Sequence, residues 1–152
     1  MKGELKVKAI ENGTVIDHIK AENIFKIISI IEIQDFDTQF FIGGNLDSKK
    51  YGKKAIIKIA DKFPSMDDIN KIALIDSNAV INIIHDFKVV EKKKVELPET
   101  ITTYFKCINP KCITNNDNVE TKFKVINKDG NVNLKCYYCD KITGHNNLEV
   151  KR

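Results

Sequence analysis

Four cysteines are the residues of this chain best placed to do chemistry. Cys107 and Cys112 have four residues between them, Cys136 and Cys139 have two, and the 152 residues contain no other cysteine. Two close pairs, 23 residues apart, match the way a protein surrounds Zn²⁺ with thiolates. Each pair spans one edge of a tetrahedron whose sulfurs lie about 2.3 Å from the metal. Asn109-Pro110 ahead of Cys112 and Asp140 after Cys139 are turn formers, as tight metal-binding loops require. Four thiolates close the coordination shell, whereas a catalytic zinc keeps an open position, so this metal is expected to hold structure and do no chemistry. Iron would also accept four thiolates. His145, six residues after Cys139, could replace one sulfur, but four cysteines already complete the count. The alternatives to a metal are two disulfides or four unrelated core cysteines. With no apolar signal segment ahead of the first strand, a reduced cytoplasmic setting is expected, which disfavours disulfides.

Other chemistry is sparse. There is no P-loop, no GxGxxG and no GxSxG, and Ser, His and Asp fall in no nucleophile pattern, so catalysis is not expected. Asp17-His18 could act as an acid/base pair, but strand neighbours point to opposite faces, a poor geometry for direct cooperation. Gly43-Gly44 is too weak for a phosphate loop and reads as a bulge or turn. Lys54 and Lys58 are four apart on a strand and share a face, with Ile57 and Ile59 on the other. Such a pair, near an Asp and a His, could hold a phosphorylated ligand through point charges; the pattern alone equally describes a solvated sheet face.

The elements that position these residues follow from periodicity. Leu5, Val7 and Ala9 alternate with lysines as in a half-buried strand, Glu11-Asn12-Gly13 turns, and Thr14–Ile19 continues as extended backbone. From Ala21 to Glu32, Ala21, Ile24, Phe25, Ile28 and Ile31 recur at helical spacing and predict one buried helix face. Gln39–Asn45 and Lys54–Ala60 read as strands joined by a polar connection over Asp47–Gly52. Ser65 with Asp68, behind Pro64, forms a capping signal for a helix over about 66–76. Val80–Ile84 and Phe87–Val90 complete the strands. The order predicts an α+β fold whose first part is a split βαβ, or ferredoxin-like (βαββαβ), domain.

Around residues 91–101 the pattern turns charged and aperiodic, with Pro98, which places a domain boundary there and gives domains 1–96 and 97–152. The second predicts short antiparallel strands around Phe123, Val125, Val132 and Leu134, with a hairpin at Lys128-Asp129-Gly130. A domain this small buries too little apolar surface to fold comfortably alone, and a metal is one usual remedy.

Charge sets limits on partners. The net charge is +4, but residues 1–97 hold 16 lysines against 15 acids and residues 98–152 hold 9 basic groups against 6, so neither half is a strongly basic nucleic-acid module. Lys92-Lys93-Lys94 is the one cluster and reads as a solvated stretch beside a linker. No run approaches the roughly 18 apolar residues of a membrane span.

Several stretches together resemble one family. Gly13–Ile19, Gly52–Lys54 with Ile57–Ile59, Asn82, Val89-Val90, Leu97–Glu99 and Leu134–Cys139 are similar to the regulatory chain of aspartate carbamoyltransferase, over essentially the whole sequence. The resemblance implies a non-catalytic chain of pyrimidine biosynthesis. Its N-terminal allosteric domain would bind nucleoside triphosphates (CTP, ATP, UTP), and its C-terminal domain, with one structural Zn²⁺ on Cys107, Cys112, Cys136 and Cys139, would dock on the catalytic chain. It implies a regulatory-chain homodimer and no nucleic-acid or membrane partner. Residue by residue, Ala9 and Ile10 resemble the positions that meet the base, Asp17 the ribose-binding carboxylate and Lys58 the lysine reaching ribose and base. His18, Asn82 and Lys92 resemble the triphosphate contacts, Val89 the position beside the ribose, and Lys54 a further basic residue. Phe87 stands where well-known relatives carry tyrosine, and a backbone contact there would survive the change; Lys8 stands where they carry an acid, which bears on the ranking of CTP, UTP and ATP.

The rival reading is a zinc-ribbon nucleic-acid module with a ferredoxin-like appendage, and a third is a stand-alone redox iron protein. The first is weakened by the modest charge and the lack of an aromatic-rich basic RNA motif.

Overall fold

Alternation of β-branched residues builds the first sheet. In the computed structural model, which describes residues 9–49, 52–128 and 131–151, the strands β1 (Gly13–Lys20), β2 (Phe40–Ser48), β3 (Gly52–Ala60), β4 (Val80–His85) and β5 (Lys88–Lys94) pair antiparallel in the order β2-β3-β1-β4-β5. Helix α1 (Ile24–Ile31) lies between β1 and β2, and α2 (Met66–Ile75) between β3 and β4. One sheet face, with Ile16, Ile57 and Ile81, is buried, and the helices cover it. A cavity of about 430 Å³ on that side is lined by Thr14, Ile16 and Ile59 of the sheet, Ile31 of α1 and Ile72 of α2.

The capping signal forms as expected: Asp68 N donates to Ser65 Oγ at 3.1 Å and Ser65 N donates to Asp68 Oδ2 at 3.2 Å. At the other end of α2, buried Asp76 accepts from Lys20 N (2.8 Å), Asn23 Nδ2 (3.1 Å) and Asn78 N (3.0 Å), tying the helix to the end of β1.

Several details differ from the sequence reading. Residues Ala21–Asn23 form a 3₁₀ turn, so the α-helix starts at Ile24. Its buried face is Ile24, Ile27 and Ile30, and Phe25 is 79% exposed. Isoleucine on nearly every side leaves the apolar face ambiguous by one position, and packing settles it. The last strand runs through Lys94, so Lys92-Lys93-Lys94 is the end of a strand, largely solvated and just ahead of the division after Val95 as expected, while Phe87 sits in the tight turn before that strand, with φ of 52° at Asp86 and 66° at Phe87. Gly43-Gly44 does fall at a register shift between β2 and β3. Of the expected first strand, residues 5–8 lie outside the described residues and Ala9 is not in a strand.

The chain divides into two compact units after Val95. The second holds β6 (Thr100–Thr102), α3 (Ile113–Asn116), β7 (Lys122–Lys128), β8 (Asn131–Cys136) and β9 (Ile142–Thr143), in sheet order β6-β7-β8-β9. Its core is Ile101, Phe105, Phe123, Val132, Leu134 and Leu148. The expected antiparallel strands around Phe123, Val125, Val132 and Leu134 form, with Val125 opposite Leu134; Asp129 and Gly130 of the hairpin lie outside the described residues. Among the described residues, no helix is long and apolar enough to cross a membrane.

Candidate metal centre and ligand face

The cysteine sulfurs come from two loops. Cys107 and Cys112 bracket the turn that leads into α3, and Cys136 and Cys139 bracket the turn after β8, closed by Cys136 N donating to Lys141 O at 2.9 Å and Asp140 N to Cys136 O at 3.0 Å. The four Sγ atoms lie within 4.8 Å of one another, with Cys107–Cys139 at 3.5 Å and Cys112–Cys136 at 3.7 Å. A tetrahedron with Zn–S bonds of about 2.3 Å has edges of about 3.8 Å, so the spacing fits one zinc ion. All four cysteines are free, and His145 is not part of the cluster.

Donors surround the sulfurs as thiolates require. Thr114 Oγ1 donates to Cys112 Sγ at 3.2 Å, and Tyr138 N to Cys136 Sγ at 3.4 Å. Burial pushes the Cys107 and Cys136 thiols up. Burial also raises Cys139, but donation from Lys141 N–H and the Asn109 side chain outweighs it and brings that thiol down to about 7. Cys139 thus ionises near neutrality, and Cys107 and Cys136 need a cation to stay deprotonated, the arrangement expected of a metal site.

In the first unit, the sequence-derived ligand residues lie on the sheet face turned away from the helices. Strand register aligns Lys58 (β3), Val15 (β1), Asn82 (β4) and Lys92 (β5) in one row. Three strand steps of about 4.8 Å put the two lysines' backbones about 14 Å apart, with the Asn82 amide between them. Asn82 is 8% exposed, and its Oδ1 has no partner among the described residues. Lys54 and Lys58 share this face, as the β3 pattern predicts, alternating with buried Ala55, Ile57 and Ile59. Lys54 Nζ pairs with Asp17 Oδ1 at 2.9 Å, both side chains about one-fifth exposed.

The expectation that Asp17 and His18 point to opposite faces is overturned. The register between β1 and β3 shifts between Ile16 and Ile19, and His18 has φ of 59°. Ile16 and Ile19 are both buried and bracket two half-buried residues, so the bulge turns Asp17 and His18 to the same side. Burial raises the Asp17 carboxyl, but the Lys54 ammonium, the His18 N–H and nearby positive charge together hold it below its ordinary 3.8. Burial lowers the Lys58 ammonium below its ordinary 10.5, and Asp17 opposes that shift.

The remaining residues lie to one side of the row, toward the start of β1 and the β4–β5 turn. Val89 pairs with Ile84, whose other neighbour is Gly13. Exposed Phe87 donates its N–H to Glu11 O at 2.9 Å, and Asp86 N donates to Asn12 Oδ1 at 3.3 Å, which holds the β4–β5 turn next to exposed Ala9 and buried Ile10. Lys8 lies outside the described residues. Sequence reasoning missed Val15, whose place comes from cross-strand pairing, and Asn12, whose role comes from the hydrogen bond its side chain accepts from Asp86 N.

Fold and cysteine cluster define a metal-binding protein made of a mixed α/β unit and a small antiparallel β unit. Comparison with known families matches residues 5–96 to the aspartate carbamoyltransferase regulatory chain, allosteric domain, and residues 99–149 to the metal binding domain of the same chain. The chain belongs to the aspartate carbamoyltransferase regulatory chain family. It is 51% identical to the protein of that name from Bacteroides fragilis over 140 residues, 92% of this chain and 91% of that one. It is 45% identical to the one from Parabacteroides distasonis over 150 residues (99% and 97%) and 46% identical to that of Thermococcus sibiricus over 148 residues (97% and 97%).

Proposed function

We propose that the first unit binds a nucleoside triphosphate on the helix-free sheet face and that the second, held by one Zn²⁺ on Cys107, Cys112, Cys136 and Cys139, docks on the catalytic chain of aspartate carbamoyltransferase. As a regulatory chain of that enzyme it is a non-catalytic subunit. The observation that carries the nucleotide reading is the row Lys58–Val15–Asn82–Lys92, flanked by the Asp17–Lys54 pair and by His18 on its bulge. Lys92, Asn82 and His18 meet the triphosphate, and Asp17 and Lys58 meet the ribose. Backbone groups at Ala9, Ile10 and Phe87 read the base edge, where hydrogen bonds distinguish an amino from a keto group. Val89 lies beside the ribose and Lys54 adds charge.

The strand order β2-β3-β1-β4-β5 with two intervening helices fits a ferredoxin-like core extended by one edge strand. CTP, ATP and UTP are the candidate effectors, two regulatory chains pair, and the complex works in the cytoplasm. Binding becomes regulation only if nucleotide prefers one of two quaternary states, with coupling of about 1–3 kcal/mol. The zinc-ribbon nucleic-acid alternative is not favoured, since both units match the regulatory chain.

Titrating the zinc-loaded chain with CTP and ATP by calorimetry tests this reading. Lys92→Ala removes one charge-assisted contact and should weaken binding about tenfold while leaving assembly with the catalytic chain intact. Equal affinity in the variant would remove Lys92 from the site.

A further inference from the structure

Two asparagines of α3 grip the first metal loop by its backbone. Asn115 Nδ2 donates to Cys107 O at 3.0 Å and to Asn109 O at 2.7 Å, and Asn116 Nδ2 donates to Pro110 O at 2.9 Å and to Cys112 O at 2.8 Å. Four carbonyls between Cys107 and Cys112 are therefore held by two side chains. We propose that Asn115 and Asn116 are positioning residues for the metal, a clamp that pre-forms the Cys107–Cys112 loop and sets how fast the ion leaves.

The reason lies in which way a tight loop turns its peptide groups. Thiolates need N–H donors aimed inward, which sends the carbonyls outward, where they must find other partners. Asn109 shows the linkage. Its Oδ1 accepts from Lys111 N at 3.1 Å, and its carbonyl accepts from Cys112 N at 3.0 Å. Asn115 holds the Asn109 carbonyl. Without that bond the Asn109 carbonyl keeps only the Cys112 N–H at 3.0 Å, so the peptide is held at one point instead of two and the loop between the two cysteines loosens. The single turn of α3 is too short to hold itself. Its first residues stay in place because Asn115 N donates to Cys112 O at 2.9 Å and the two side chains fold back onto the loop.

Outer-shell partners of metal ligands typically change affinity by 10–100-fold when removed. The full chain is loaded with Zn²⁺, and transfer of the ion to an excess of chromophoric chelator is timed. Asn115→Ala should release zinc about tenfold faster, and Asn115→Ala with Asn116→Ala about a hundredfold faster. Asn118→Ala, a control on the same stretch whose side chain is exposed, should stay within about twofold of the parent. In the Co²⁺-loaded variants the sulfur-to-metal absorption should keep the intensity of four thiolates, because the clamp times release and supplies no ligand. A variant that fails to retain metal while Asn118→Ala loads normally is the same result at its extreme. Release from both clamp variants within about twofold of the parent overturns the clamp. The clamp requires metal on the four cysteines and is independent of nucleotide. A parent chain that takes up no metal would defeat the metal reading itself, a different result from unchanged release.

Discussion

Asp17 is the residue on which the ligand face turns. Its carboxylate is half-buried, and the neighbouring Lys54 ammonium at 2.9 Å offsets the cost of that burial. Since its folded-state value lies below the unfolded one of about 3.9, the stability it contributes is present above that value and is lost as pH falls through the folded one. Lys54→Ala leaves burial less opposed, so the Asp17 titration should move up, with a cost near neutral pH of about 1–2 kcal/mol for the uncompensated carboxylate. The carboxyl-carbon shift of Asp17, followed through an acid titration, measures this, and an unmoved midpoint would mean the pair does not form in solution. The types and spacing of Asp17, His18, Lys54 and Lys58 were readable in the chain, as were the four cysteines. The bulge was not, because a two-residue period carries no mark of the one place where it slips. Asn82 looks like any polar strand residue until register sets it between Lys58 and Lys92.

At the level of elements, what was legible is what local sequence decides. The Ser65–Asp68 capping box and the alternation of β3 both depend on residues within a few positions of one another. The starting point of α1's buried face, the reach of β5 and the staple at Asp76 depend on partners elsewhere in the chain. Gly13 opens β1 with φ of 142°, and a Cβ there would collide with the carbonyl oxygen of Ile59. Glycine is needed at this point because β1 is paired on both sides, to Ala60 and to Ile84, and cannot move away. Gly13→Ala combines backbone strain with a backbone clash and should cost at least about 2 kcal/mol in urea unfolding of the first unit. A loss below about 0.5 kcal/mol would show that β1 can shift to make room.

For the whole molecule, the division after Val95 makes the metal's role separable from the sheet's. The second unit has a modest core around Phe105, Phe123 and Leu134, and two of its loops end on cysteine sulfurs 3.5–3.7 Å apart. Without a cation, burial works against ionising Cys107 and Cys136, and the paired loops lose what draws them together. Structural zinc supplies on the order of 10–16 kcal/mol in small peptides, against roughly 5–15 kcal/mol for the stability of an ordinary domain, so the metal term alone is large enough to decide whether this unit folds. The first unit owes its order to a five-stranded sheet and two helices that contain none of the four ligands. Chelation at neutral pH should therefore abolish slow amide exchange in residues 96–151, the Phe123–Cys136 pairing included, while amides of β1, β3 and β4 keep theirs. The same treatment should end association with the catalytic chain and leave nucleotide affinity within about twofold, since the proposed ligand row lies wholly in the first unit. Protection lost together in both units would mean that the two fold as one, and protection kept in both would mean that the second unit's apolar core suffices without its metal.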